Sequence, residues 1–123
     1  MPVPILKQRD VLIASIQAAL TDADLRVLRD ALVEQVGRFR SRGVIVDVTA
    51  LDVMDSFAVR TLRDLALMSR LRGAQTVIVG IQPDVAFAMA QLGLTLEGVA
   101  AALDLEEGLA YLDRAAKGKG HAP

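Results

Sequence analysis

Two β-branched runs, Val44–Thr49 and Thr76–Gly80, constrain this chain more than any other feature. Val, Ile and Thr carry two heavy atoms on Cβ, which suits the pleated surface of a strand and restricts them in a helix. Both runs are apolar enough to lie in a sheet covered on both faces. Between them lies a helical pattern from Ser56 to about Leu71, with Leu62, Leu65, Ala66 and Ser69 on one face and Gly73 at its end. A strand, a helix and a second strand in that order predict a crossover unit in an α/β sheet.

The flanking segments extend the same plan. Ile5–Lys7 and Val11–Ile16 predict two strands joined by a tight turn. Thr21 followed by Asp24 resembles a capping box, with Asp in place of the usual Glu. Leu25, Leu28, Leu32, Val36 and Phe39 then form one face of a long helix that Gly43 is expected to stop. Pro83 suits the first turn of a third helix, reaching about Leu92 before Gly93. A short strand within Val99–Leu103 and a last helix from about Asp104, carrying Leu105, Leu109 and Leu112, complete the reading. The expected fold is α/β: a mixed sheet of four to five strands packed with about four helices. Residues 1–116 form a single domain, with a disordered tail over 117–123.

Composition removes several function classes. The net charge is −1, so the basic stripe of a nucleic-acid binder is missing. Cysteine is absent and the lone histidine, His121, lies in the polar tail. Thiol chemistry and cysteine-based metal sites are excluded, and histidine catalysis is not expected. No run approaches the ~18 apolar residues of a membrane span, and the start lacks a signal-peptide layout. A cytoplasmic protein without nucleic-acid or membrane contact is expected. The hydrophobic share of 53% fits either an Ala-rich core or more apolar surface than one small globule hides, as in a subunit of an assembly.

The segment with chemical content is Asp47–Phe57, which leaves a buried strand and ends at a helix start. Functional groups collect at the carboxyl edge of such strands. Asp55 and Ser56 fall at the cap and first turn, where unpaired N–H groups accommodate an anion such as phosphate. Read without further context, Asp and Ser there are simply caps. A phosphate on Ser56 would add about −1.5 to −2 charges beside Asp47, Asp52 and Asp55. The three acids raise the question of a Mg²⁺-dependent receiver. A receiver needs an acidic pair after its first strand and a lysine after a late one, whereas here stand Ser15-Ile16-Gln17 and Gly80-Ile81-Gln82-Pro83. Ser56 also lacks an activating base: only Lys7, Lys117 and Lys119 are present, and no Gly-x-Ser-x-Gly surrounds it. No motif calls for a cofactor or metal, and no enzyme is expected. Phe57, Phe87, Met68 and Met89 read as packing, with any exposed one an interface candidate.

Taken together, Pro4–Lys7, Leu12–Gln17, Asp47–Thr49, Asp55–Phe57, Gly80–Pro83 and Ala102–Leu109 resemble the STAS family of anti-sigma-factor antagonists, in particular its stressosome scaffold branch. The match runs to about Leu112. The resemblance implies a non-catalytic scaffold and negative regulator that co-assembles with RsbR-like STAS sensor proteins and with further copies of itself. It would hold an RsbT-like serine/threonine kinase and release it on phosphorylation, with an RsbX-like phosphatase resetting the site. The family's acceptor serine falls on Ser56, with Asp47, Asp52, Asp55 and Phe57 as candidates for the acceptor loop and kinase interface. One of the threonine acceptors of the sensor paralogues falls near Ala88, so that site does not carry over. A stand-alone anti-sigma factor antagonist, also regulated by serine phosphorylation, is the alternative.

Overall fold

A computed structural model describes residues 3–120, with side chains through residue 117. The order of elements is β1 (Ile5–Gln8), β2 (Val11–Ser15), α1 (Asp22–Phe39), β3 (Gly43–Asp47), α2 (Ser56–Leu71), β4 (Gln75–Val79), α3 (Pro83–Gln91), β5 (Ala100–Ala102) and α4 (Leu105–Gly120). The five strands lie in sequence order across one sheet. β1 pairs antiparallel with β2, and β2 to β5 are parallel. The mixed α/β sheet with four helices is thus the architecture expected from the sequence.

Sequential strand order dictates the layering. Each crossover moves the chain one strand further in the same direction, so crossovers of one hand put their helices on one face. Alternate strand residues divide accordingly. Leu12, Ala14, Val44, Val46 and Ile78 pack with Leu28, Leu32 and Val36 of α1, Leu62 and Leu65 of α2, and Val85 and Met89 of α3. Val11, Ile13, Ile45, Val77 and Val79 form a second cluster with Leu112 of α4, flanked by half-buried Leu105 and Leu109. The central strands bury both faces, which is why their sequences show no polar alternation.

Local signals set the ends of α1, with one correction. Thr21 Oγ1 accepts from the Asp24 amide at 3.0 Å, and the Asp24 carboxylate accepts from the Thr21 amide at 3.4 Å, completing the capping box. The helix does not run to Gly43. Arg40 takes the left-handed conformation (φ 52°) and its N–H bonds back to the Val36 carbonyl. Gly43 opens β3 instead, and a Cβ there would lie 2.9 Å from Leu112 Cδ2, so glycine lets α4 seat on the sheet. Phe39, expected on the core face, is 38% exposed, and the cations of Lys7 and Arg38 lie 5.6 and 5.3 Å from its ring centre.

The strands also stop earlier than expected, at Asp47 and Val79 rather than Thr49 and Gly80. Residues 117–120, assigned above to the disordered tail, continue α4; the rest of that tail, 121–123, lies outside the described residues.

Candidate functional site

Parallel strands joined by helices on return paths bring every helix N-terminus to the carboxyl edge of the sheet. Acidic residues favour that end of a helix, and they are concentrated here: Asp22 and Asp24 on α1, Asp55 before α2, Asp84 on α3, and Asp104, Glu106 and Glu107 at α4. The opposite edge carries Arg38, Arg40, Arg70 and Arg72 at helix ends. It also carries Arg42, which pairs with Asp10 at 2.8 Å and Asp113 at 2.7 Å. A net charge of −1 therefore conceals a polarised molecule.

Ser56 lies on the acidic edge as the first residue of α2, with its side chain exposed. Asp55 is the N-cap; its Oδ1 accepts from the Ala58 amide at 2.8 Å. That bond satisfies one of the orphan donors of the first turn. Phe57 turns partly inward, and the Arg26 guanidinium of α1 lies 5.6 Å from its ring centre.

The loop leading to Ser56 is braced from the turn between β4 and α3. Asp47 Oδ1 accepts from both the amide (2.9 Å) and the hydroxyl (2.6 Å) of Thr49, turning the chain away from the sheet. Gly80 (φ +81°) passes directly beneath: a Cβ there would collide with Thr49 Oγ1 and stand 3.2 Å from Asp47 Oδ1. Gln82 Nε2 then donates to the Thr49 carbonyl at 2.7 Å and, more weakly, to Asp52 Oδ1 at 3.4 Å. Below the loop, buried Leu51 and Met54 tie it to the core, while Val53 stays 75% exposed.

The five residues singled out from sequence thus have separate positions. Asp47 and Asp52 belong to the brace, Asp55 caps the helix, Ser56 is presented to solvent, and Phe57 packs toward α1. The three acids do not pool their oxygens around one point, and among the described residues no three His, Asp or Glu side chains converge to hold a metal ion. No described helix is long and apolar enough to cross a membrane. Sequence reasoning missed Thr49, Gln82 and Arg26. Only Gly80-Ile-Gln-Pro83 hinted at a special turn, and nothing in it identified its partner. Of the four residues read as packing, Met89 is buried, whereas Phe87 is 66% exposed.

Sheets of this kind bind small ligands where strand order reverses. Here it never reverses, so the carboxyl edge forms no crevice at a switch point. The edge presents an exposed serine at the start of α2.

Residues 3–106 match the family model of the STAS domain. The chain is 33% identical to a solved serine-to-glutamate variant of RsbS from Moorella thermoacetica, covering 94% of this chain and 97% of that one, with a TM-score of 0.80. A second structure, reported as the molecular architecture of the stressosome, a signal integration and transduction hub, is 34% identical. It covers 93% of this chain and 99% of its own, with a TM-score of 0.77. Among curated proteins, the RsbT co-antagonist protein RsbRA of Bacillus subtilis (strain 168) is 28% identical over 89 residues. That alignment takes in 72% of this chain but only 32% of the relative, so the chain spans about a third of that protein's length. With a family model matching most of its length and a stressosome-type fold, the chain belongs to the STAS-domain family.

Proposed function

We infer that this protein is a non-catalytic stressosome scaffold of the cytoplasm. It holds an RsbT-like serine/threonine kinase together with RsbR-like STAS partners and further copies of itself. Phosphorylation of Ser56 releases the kinase, and an RsbX-like phosphatase resets the site. The observation that carries this reading is the exposed Ser56 at the first turn of α2, after a loop anchored to the start of α3 through Thr49 and Gln82. A kinase substrate must place its hydroxyl in another protein's active site, and an anchored loop does so with little ordering cost. The likeness to an RsbS (33% identity) and to the stressosome structure (34%) over nearly the whole chain supports the choice of partners.

Charge supplies the switch. A phosphoserine brings about −1.5 to −2 charges to an edge already lined by Asp52 and Asp55. The helix N-terminus tolerates that charge within this protein, so the repulsion falls on the docked partner rather than on the fold. The test is to incubate the protein with an RsbT-like kinase and ATP, locate the phosphate by mass spectrometry, and repeat with Ser56→Ala. Labelling at Ser56 that disappears in the variant is expected; full labelling of the variant overturns the assignment. In parallel, the mass of the complex with an RsbR-like STAS domain should exceed that of either component, and failure to associate counts against the scaffold role.

A further inference from the structure

The two edges of the sheet are not alike. β1, at one edge, carries Lys7 and Gln8, and an edge lysine discourages pairing with another chain. β5, at the other edge, is Ala100-Ala101-Ala102, with neither charge nor proline. The Gly80 amide donates to the Ala102 carbonyl at 3.2 Å, and backbone groups alternate in direction along a strand. Ala101 therefore turns its N–H and C=O away from β4, to the open side. The surroundings are apolar. Ile81, Ala86, Ala101, Ala102 and Leu103 line an open depression there, together with Glu107. Leu103 is 78% exposed, and Phe87, next to Ala86 on α3, is exposed as well. One carboxylate among apolar groups is too little to orient a small ligand.

We propose that β5 is the seam of a two-fold dimer: a second copy of this chain pairs its β5 antiparallel, Ala101 opposite Ala101, and the two sheets run on as one. A two-fold interface must be complementary to itself, and this edge is. In a hydrogen-bonded antiparallel pair the two opposing residues exchange both N–H···O bonds, which is what the outward groups of Ala101 can do. The same register turns Leu103 of each copy toward Val99 of the other. The Val99 amide already bonds the Leu96 carbonyl at 3.0 Å, so the shared ladder is short and side chains supply the rest.

Charge selects the same arrangement. Antiparallel pairing brings the carboxyl end of one β5 beside the amino end of the other. The carboxyl end carries Asp104, Glu106 and Glu107. Two arginines of α2 stand at the amino end: Arg63 Nη1 donates to the Thr95 carbonyl at 3.4 Å, and a Cβ on Gly98 would lie 3.4 Å from both Nη atoms of Arg70. Glu97 lies in the same turn, which leaves two cations against one acid. A parallel pairing would set the acids of both copies side by side and is disfavoured. This seam rests on the part of the scaffold reading that joins copies of this chain, and it names the joining surface. Ser56 follows β3, two strands in from the seam, and stays open to a kinase.

The chain has no cysteine, so Ala101→Cys introduces a single thiol. The Cα atoms of a hydrogen-bonded antiparallel pair are about 5.5 Å apart, within the roughly 4.4–6.8 Å that a disulfide spans. Mild oxidation of dilute Ala101→Cys should give a covalent dimer while Leu6→Cys, on the β1 edge, stays monomeric; equal cross-linking of the two, or none in either, overturns the register. Sedimentation over a concentration series measures the unlinked chain, which should dimerise, and more weakly as salt rises. Ala101→Pro removes the outward N–H, a change that edge strands accept, and Leu103→Glu puts a charge into the seam. Each should weaken dimerisation roughly tenfold or more, with Leu6→Glu like the unaltered chain. Circular dichroism checks folding; if Ala101→Pro fails to fold, Leu103→Glu carries the comparison. Undiminished dimers in the folded variants overturn the seam and leave self-assembly through another surface standing. A chain that is monomeric alone but joins an RsbR-like STAS domain through Ala101 overturns the proposal in favour of that partner. A chain that associates with neither overturns the proposal and the scaffold reading together.

Discussion

Gly80→Ala probes the brace that shapes the acceptor loop. The added Cβ meets two separate obstacles. The backbone at φ +81° disfavours an L side chain, at about 1–2 kcal/mol. The methyl also collides with the Thr49 side chain, which must leave its rotamer, at about 0.5–1.5 kcal/mol. It thereby gives up its bond to Asp47, which contributes about 1 kcal/mol net at this partly exposed site. The sum is roughly 2.5–4.5 kcal/mol, a large fraction of the marginal stability of a domain this size. Gly73→Ala provides the control, since its φ is +92° and nothing lies within 4 Å of the added Cβ; it bears the backbone term alone. Urea unfolding of both variants, alone and with Thr49→Ala, separates the terms. Gly80→Ala should be destabilised more than Gly73→Ala by about 1.5–2.5 kcal/mol, the sum of the rotamer and hydrogen-bond terms. Most of that excess should vanish in the Thr49→Ala background. Equal destabilisation at the two glycines, or an excess that survives removal of the Thr49 side chain, would refute the collision as its cause.

Two further predictions concern local energetics. Asp55→Ala removes the only side-chain cap of α2 among the described residues and should cost about 1 kcal/mol, whereas Ser56→Ala at an exposed position should stay within about 0.5 kcal/mol; thermal melts of the pair check that the serine is not retained for stability. The Thr76 hydroxyl is buried with no hydrogen-bond partner, so Thr76→Val, which keeps the shape, should be neutral or stabilising by about 1 kcal/mol in urea unfolding; a clear loss would show that the hydroxyl is satisfied in solution.

How much of this was legible in the residues follows from range. The capping box at Thr21, the cap at Asp55, the start of α2 at Ser56 and the heptad-like burial of Leu25, Leu28, Leu32 and Val36 depend on neighbours three or four positions away. A linear pattern displays such relations directly. The α/β class followed from alternation of β-branched runs with helical ones, and Ser56 stood out because a helix start after a buried strand is a definable place. The errors fell where a distant group intervened. Gly43 looks like a helix stop in isolation, yet its lack of a side chain accommodates Leu112, while Arg40 ends the helix. Phe39 fits the apolar stripe but sits at the helix end between two cations.

The brace was illegible for the same reason. Gln82 reaches the Thr49 carbonyl across 33 positions, and no local preference of either residue encodes the other. The sequence alone determined which segments are strands and helices, because those depend on dihedral preference and periodicity over a turn or two. Only the tertiary structure decided that Asp52 meets Gln82 and that Gly80 passes beneath Thr49, that the acids gather on one edge, and that an apolar hollow opens beside Ser56. Those are consequences of strand order, which brings helix starts together from across the whole chain.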